Sequence, residues 1–419
     1  MSSLLATSPF AALGLAPALV RAAGERGYAV PTPIQAAAIP LALQGRDVIG
    51  CAHTGSGKTA AFGLALLNHL ELIMRPAWRR TRALVLVPTR ELAAQVGEAI
   101  RALSRQLTDP VKVAVVFGGV SINPQMLGLR GGAEVVIATP GRLLDLVGRN
   151  AIKLDDVDLL VLDEADRLLD EGFADELARL TALLPARRQS LFFSATFPPA
   201  VQSLADALLR EPVRVDAPAT AGAGVSAVEQ HAVEVDAAQR TPLLRHLIEQ
   251  GRWQRALVFV ATRYASEHVA EKLRRAGLAA AAFHGDLSQG ARTRVLADLH
   301  SGALQVVLAT DMAARGLHIP GLPVVVNYDL PRSAVDYTHR IGRTARAGAT
   351  GLVVSFVSAA TEAHFRLIEK RQGQRVPRER IAGFEPREVA PSASPPEGGV
   401  KGRRKSKKDK LREAAARAL

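Results

Sequence analysis

The chain has 419 residues, of which 48% are hydrophobic and 22% charged, so it can form two globular domains of ordinary size. Its net charge of +13 favours an anionic partner. The single cysteine, Cys51, excludes intramolecular disulfides and gives no sign of a secreted fold. The apolar stretch 4–20 is interrupted by Pro9 and Pro17, and no apolar run is long enough to span a bilayer. We therefore expect a soluble, cytoplasmic protein.

Short apolar runs alternate with helical stretches along most of the chain, which predicts an α/β fold of mainly parallel sheets flanked by helices. Most of these runs end in a polar or glycine-containing segment, and ligands of open α/β sheets bind beyond the carboxyl ends of the strands. The predicted strands cover residues 47–51, 83–87, 113–117, 135–138, 159–162 and 191–193, then 256–260, 280–283, 306–309, 324–328 and 352–356.

A motif typical of a phosphate-binding loop lies between the first predicted strand and a helix predicted over residues 60–72. Two glycines let the backbone N–H groups turn towards phosphates, a lysine supplies a cation, and a threonine hydroxyl can help hold Mg²⁺. An alanine takes the place of the usual first glycine. The motif comprises Ala52, His53, Thr54, Gly55, Ser56, Gly57, Lys58 and Thr59.

Two carboxylates, Asp163 and Glu164, follow the buried strand predicted at 159–162. Beside a bound nucleotide, one carboxylate can organise Mg²⁺ and its waters. The next can orient and deprotonate the attacking water. Acidic residues are common after strands, but together with the phosphate loop this pair indicates nucleotide hydrolysis.

The domain boundaries are predicted from composition. Residues 216–228 are rich in Ala, Gly and Pro, which indicates a linker between a first domain (1–215) and a second domain (229–384). The second domain repeats the strand–helix alternation without a phosphate loop, which suggests that it completes the site of the first. Residues 385–419 are predicted to be disordered, and from residue 401 they contain nine basic and two acidic residues, a net charge of +7.

The segment 339–346 of the second domain contributes further cations. Hydrolysis requires positive charge near the γ-phosphate, and Arg343 and Arg346, three residues apart, would share one face of a helix. A solvated basic helix start is an equally good interpretation of this segment taken alone.

In this combination the chain resembles the DEAD-box RNA helicases, over roughly residues 10 to 380. The motifs occur in the order and spacing of that family, and the stretch 375–386 is similar to the end of the bacterial RhlE-like group. The matching segments are Phe10 with 27–28 and 31–35, then 52–59, 88–92, 118–119, 139–142, 163–166 and 194–196, and in the second half 284–285 with Gln289 and Arg292, 309–316 and 339–348.

The resemblance implies two tandem RecA-like domains that close on ATP, Mg²⁺ and single-stranded RNA. It assigns nucleotide binding to Phe10, Tyr28, Thr32, Gln35, Thr54, Gly55, Ser56, Gly57, Lys58, Thr59 and Asp163, with Thr59 and Asp163 serving Mg²⁺, partly through water. Glu164 would activate water, Arg343, Arg346 and His339 would complete the site from the second domain, and Ser194, Thr196 and Asp166 would couple hydrolysis to closure. RNA binding falls to Arg90, Gly119, Thr139 and Arg142 in the first domain and Gly285, Arg292 and Thr310 in the second.

Three positions depart from the family pattern. His53 stands in place of the usual Gln, Ala345 in place of Gly, and His318 in place of an Asp that is expected to contact the ATP ribose.

Three functions remain open at this stage. The first is an ATP-dependent RNA helicase that opens short duplexes locally, and the second is an ATP-gated RNA clamp or assembly platform. The third, a DNA helicase of the same superfamily, is disfavoured by the motif at 163–166 and by Gln35. Ribosome-assembly and RNA-degradation complexes are the partners to consider.

Overall fold

The computed structural model describes residues 8–52, 55–73, 78–170, 172–216, 228–314, 322–344 and 350–388. His53, Thr54, His318, Ala345, Arg346, most of the predicted linker and the basic segment from residue 401 lie outside these ranges. Within the described ranges, no helix has the length and apolar character that a membrane span requires.

The first half forms a seven-stranded parallel sheet in the order β3-β4-β2-β5-β6-β1-β7. Its strands are β1 (Val48–Cys51), β2 (Ala83–Leu86), β3 (Val113–Val116), β4 (Val135–Ala138), β5 (Leu159–Leu162), β6 (Gln189–Ser194) and β7 (Val213–Asp216). Its helices are α1 (Pro17–Glu25), α2 (Pro33–Leu43), α3 (Lys58–Leu72), α4 (Arg90–Ser104), α5 (Asn123–Leu129), α6 (Pro140–Gly148), α7 (Ala165–Asp170), α8 (Ala174–Ala182) and α9 (Pro199–Leu208).

The second half forms another seven-stranded parallel sheet, in the order β10-β11-β9-β12-β13-β8-β14. Its strands are β8 (Val228–Glu234), β9 (Ala256–Phe259), β10 (Ala280–Phe283), β11 (Val306–Ala309), β12 (Val324–Asn327), β13 (Gly351–Val357) and β14 (Arg378–Glu379). Its helices are α10 (Arg240–Gln250), α11 (Arg263–Arg275), α12 (Gln289–Ser301), α13 (Asp311–Ala314), α14 (Ala334–Ile341) and α15 (Glu362–Gln372).

Each sheet separates two apolar cores because helices cover both of its faces. Neighbouring strand residues point to opposite faces, so Val85 belongs to one core and Leu84 to the other. Strands buried on both faces are apolar throughout, as in β2, β4 and β5, which makes them visible in the sequence.

The predicted fold of two parallel sheets flanked by helices is confirmed, and each predicted strand is present with small shifts at its ends. Three strands were not predicted: β7, β8 and β14. β7 and β14 are sheet edges, and β8 lies next to an edge. All three carry charged residues, as in Val213–Asp216, so they lack the apolar run that indicates a central strand. The predicted limits of domains and linker stay predictions.

Candidate active site between the two domains

The phosphate loop connects β1 to α3 at the carboxyl edge of the first sheet. Gly55 and Gly57 have φ values of +88° and +94°, in the left-handed region that favours glycine. The Lys58 side chain is buried, and its ammonium donates to the Ala52 carbonyl at 2.7 Å. The lysine is thus held inside the loop, where a cation can meet phosphate oxygens, and Thr59 follows it in the first turn of α3.

Gln35 and Thr32 lie against this loop. The Thr32 N–H donates to Gln35 Oε1 at 3.0 Å, and Gln35 Nε2 donates to the Gly57 carbonyl at 3.1 Å. A methyl group at Gly57 would lie 2.5 Å from Gln35 Nε2, so the close approach requires glycine. The residues predicted to read adenine therefore contact the phosphate loop directly.

Phe10 and Tyr28 pack together, with ring centroids 6.3 Å apart. Phe10 has no exposed surface and belongs to the core, whereas Tyr28 is partly exposed. Of the two residues predicted to pack near the base, Tyr28 is therefore the more accessible one, and Phe10 packs behind it.

Asp163 is buried at the end of β5, and burial raises the pKa of its carboxyl group to about 6. Lys58 acts against this shift, whereas the neighbouring acids Glu164 and Asp166 add to it. A buried carboxylate beside Lys58 of the phosphate loop, with two further acids next to it, fits a divalent cation, which would favour the ionised form. The residues present therefore suit Mg²⁺.

Glu164 has a left-handed backbone conformation, with φ of +52°, between β5 and α7. Its N–H donates to Asp163 Oδ1 at 3.0 Å. Its carboxylate Oε2 accepts from Arg167 Nη1 at 2.8 Å, and both side chains are buried. Sequence reasoning missed Arg167, although an arginine three residues after the glutamate, at the start of a helix, was a usable signal.

Ser194 and Thr196 connect the end of β6 to Asp166. The Asp166 N–H donates to Ser194 Oγ at 3.2 Å, and Ser194 Oγ donates to the Thr196 carbonyl at 2.8 Å. Thr196 Oγ1 and N–H both donate to Asp166 Oδ2, at 2.8 and 3.1 Å. The three residues predicted to couple hydrolysis with closure thus form one network.

His339 brings the second domain to this network. Burial is the main cause that lowers the pKa of His339 to about 4, and the positive charge of the nearby Arg167 is the second. Asp166 of the first domain acts in the opposite direction. Arg343 Nε donates to the His339 carbonyl at 3.2 Å, and Arg167, His339 and Arg343 line one small cavity between the domains. At pH 7 His339 is neutral there.

The placement of Arg343 differs from the helical position predicted for it. α14 ends at Ile341, so Arg343 lies beyond the helix. The residue that anchors α14 is Arg340, which sequence reasoning missed. Its Nε and Nη2 donate to the two carboxylate oxygens of Asp311 at 2.6 and 2.7 Å, a bidentate contact.

The predicted RNA-binding residues of the first domain lie at the carboxyl ends of β2, β3 and β4. Arg90 packs so closely on Gly119 that a side chain at this glycine would overlap the guanidinium. Arg142 is buried, and its Nη2 donates to the Val120 carbonyl at 2.7 Å. Arg142 Nη1 has no hydrogen-bond partner among the described residues. With Thr139, these groups form a basic edge suited to phosphates.

In the second domain, Gly285 and Thr310 follow the neighbouring strands β10 and β11. Arg292 contacts the first domain. Its Nε donates to Glu91 Oε1 of the first domain at 2.8 Å, and both side chains are buried. Its other two nitrogens donate to the carbonyls of His284 and Ala313 at 3.3 and 3.4 Å. Arg292 thus forms an interdomain ion pair in this structure, and its predicted RNA contact stays a prediction.

Comparison with known proteins supports this organisation. Residues 32–204 match the DEAD/DEAH box helicase family, and residues 239–348 match the helicase conserved C-terminal domain. The chain is 40% identical to the ATP-dependent RNA helicase DeaD of Mycobacterium tuberculosis, over 89% of this chain and 65% of that protein. It is 42% identical to the ATP-dependent rRNA helicase rrp3 of Sclerotinia sclerotiorum, over 84% of this chain and 72% of that protein. The chain thus spans slightly less than two thirds of the length of DeaD.

Among solved structures, Dbp5 of S. cerevisiae bound to RNA and ADP BeF3 is similar, with a TM-score of 0.79 and 31% identity, over 90% of this chain and 96% of that chain. The likeness extends over both sheets, which are tandem RecA-like domains. By these matches in sequence and structure, the chain belongs to the DEAD/DEAH box helicase family.

Proposed function

We propose that this protein is an ATP-dependent RNA helicase that hydrolyses ATP to ADP and phosphate when RNA is bound. One observation carries the proposal: His339 of the second domain lies close enough to Glu164 and Asp166 of the first to feel their charges, and it shares a cavity with Arg167 and Arg343. The hydrolytic groups are complete only when the domains are together. Relatives described as ATP-dependent RNA helicases support the same activity.

ATP would bind through the residues around the phosphate loop. Gln35 and Thr32 would contact the adenine beside Tyr28, and the loop 54–59 with Lys58 would hold the phosphates. Mg²⁺, held by Thr59 and by Asp163 through water, would neutralise charge on the phosphates. The Gln35 bond to Gly57 links the base-reading residue to the loop, so adenine recognition and phosphate binding are joined.

Hydrolysis would use Glu164 as the base that takes a proton from the attacking water. Arg343, together with Arg346, would stabilise the charge that develops on the transferred phosphoryl group. Neutral His339 lies near the Asp166–Ser194–Thr196 network. When the domains close, it would therefore contact the residues next to Glu164 and couple closure to hydrolysis.

RNA would bind across both domains, on Arg90, Gly119, Thr139 and Arg142 of the first and on Gly285 and Thr310 of the second. Contacts to the sugar-phosphate backbone carry little sequence information, so binding would be largely independent of sequence. Contacts to ribose hydroxyls would favour RNA over DNA. Closing on one strand would separate short duplexes locally, and ADP and phosphate release would free the RNA.

Finer assignments are also proposals. The similarity of 375–386 supports the RhlE-like group, and the family supports a cytoplasmic location. An rRNA helicase among the relatives supports a role with ribosome precursors, while an RNA-degradation complex is the other candidate.

An ATP-gated RNA clamp is the second candidate, because the buried Glu91–Arg292 pair could hold a closed state without strand separation. Single-turnover unwinding of a short RNA duplex decides between the two. Strand separation in the presence of ATP, at a rate comparable to hydrolysis, supports the helicase. ATP-dependent RNA retention without strand separation would instead establish the clamp.

A further inference from the structure

We propose that Arg167 is a positioning residue that holds the general base Glu164 in its reactive orientation. The inference rests on the proposed ATP hydrolysis and adds a residue to it. It starts from the only hydrogen bond to the Glu164 carboxylate seen among the described residues, the 2.8 Å contact from Arg167 Nη1 to Oε2.

The backbone places both residues for this contact. The Glu164 carbonyl accepts from the Arg167 N–H at 2.9 Å, which opens the turn that leads into α7. Asp166 Oδ1 also accepts from the Arg167 N–H, at 3.2 Å. The arginine is thereby fixed to the same aspartate that Ser194 and Thr196 contact, so its head group reaches Glu164 from a rigid support.

Burial makes this contact restrictive. The side chains of Arg167 and Glu164 are 4% and 8% exposed, so water cannot readily replace the guanidinium. A glutamate has three rotatable side-chain bonds, and the contact on Oε2 limits them while leaving Oε1 available to a water. A catalytic group that is misplaced by about 1 Å can lose about 10²-fold in rate.

A purely structural ion pair is the competing explanation, and the position of Arg167 opposes it. Arg167 faces His339 and Arg343 across the interdomain cavity. It therefore lies where the two halves of the hydrolytic site meet.

The test compares Arg167→Met, Arg167→Lys and Glu164→Gln with the double variant that combines Arg167→Met and Glu164→Gln. The matched control is Arg82→Met, which removes the Arg82–Asp158 ion pair at the opposite edge of the same sheet. For each variant, kcat is measured at saturating RNA and ATP. Binding of a non-hydrolysable ATP analogue with RNA and the thermal unfolding midpoint are measured as well.

We expect Arg167→Met to lower kcat by about 10²-fold, the scale of a misplaced base, with binding of the analogue and RNA changed less than about threefold. Arg167→Lys should be intermediate, because lysine keeps the charge but not the planar fork. The double variant should be no slower than Glu164→Gln, since Arg167 acts through that residue. Arg82→Met should leave kcat unchanged.

Three results would overturn the proposal. The first is an unchanged kcat in Arg167→Met, and the second is a loss confined to analogue or RNA affinity, which would make Arg167 an interdomain contact. The third is a decrease in kcat on Arg167→Met that is equally large in the wild type and in the Glu164→Gln variant. If Arg167→Met does not fold, the same comparison with Arg167→Lys decides. Absence of RNA-stimulated hydrolysis in the wild type would instead refute the proposed function.

Discussion

The interdomain ion pair between Glu91 and Arg292 should control closure of the two domains. Both side chains are 7–8% exposed in this arrangement, and their contact is 2.8 Å. Replacing Arg292 with Ala leaves Glu91 buried without its cation in the closed form, a loss of about 3–5 kcal/mol. When the domains separate, water can reach Glu91, so the loss falls on closure. Closure should therefore weaken by a factor of roughly 150 to 5,000.

The assay is the RNA concentration that half-saturates ATP hydrolysis, together with fluorescence energy transfer between dyes on the two domains. Glu91→Gln is the decisive variant, because it leaves Arg292 buried and unpaired. If the pair acts in closure, Glu91→Gln should raise the half-saturating RNA concentration by a factor similar to that of Arg292→Ala. Arg245→Ala, which removes an exposed ion pair within the second domain, should have no effect.

If Arg292 served instead as a phosphate ligand, removing the competing carboxylate would strengthen RNA binding or leave it unchanged. Unchanged or tighter RNA binding in Glu91→Gln would therefore refute the reasoning.

Four further outcomes are expected. Glu164→Gln should lower kcat by about 10²-fold or more while ATP and RNA binding persist, and near-wild-type hydrolysis would show that Glu164 is not the base. Gly57→Ala should raise the KM for ATP by about tenfold because of its left-handed φ and the Gln35 contact, whereas Gly45→Ala, with φ of +75° and no close neighbour, should leave KM unchanged. Deleting residues 401–419 should weaken RNA binding and flatten its salt dependence without changing kcat, and an unchanged slope would exclude an RNA tether. Because the closed state lowers the pKa of His339 from 6.5 to about 4, closure should weaken as pH falls through this interval. His339→Gln should remove this pH dependence of closure.

Short-range motifs made the positions of the phosphate loop and of the two carboxylates predictable. The phosphate loop and the Asp163–Glu164 pair are contiguous in sequence, and each follows an apolar strand that is buried on both faces. Chemistry and position could therefore be inferred together. Gln35 was also predicted, but its hydrogen bond to Gly57 depends on how α2 packs beside the loop.

Contacts that join distant segments could not be predicted. Glu91 and Arg292 are 201 positions apart, and nothing local indicates that they meet when the domains close. Burial of Phe10 likewise depends on packing among several elements. The end of α14 at Ile341 was missed because the basic residues that follow are compatible with a helix.

The most direct test of the account is the rate of ATP hydrolysis with saturating single-stranded RNA, with single-stranded DNA of the same sequence, and without nucleic acid. The proposed hydrolytic groups are divided between two domains whose carboxyl edges also carry the proposed RNA-binding residues. We therefore predict strong stimulation by RNA and little by DNA. Equal rates under all three conditions would contradict a site that RNA completes by bringing the domains together.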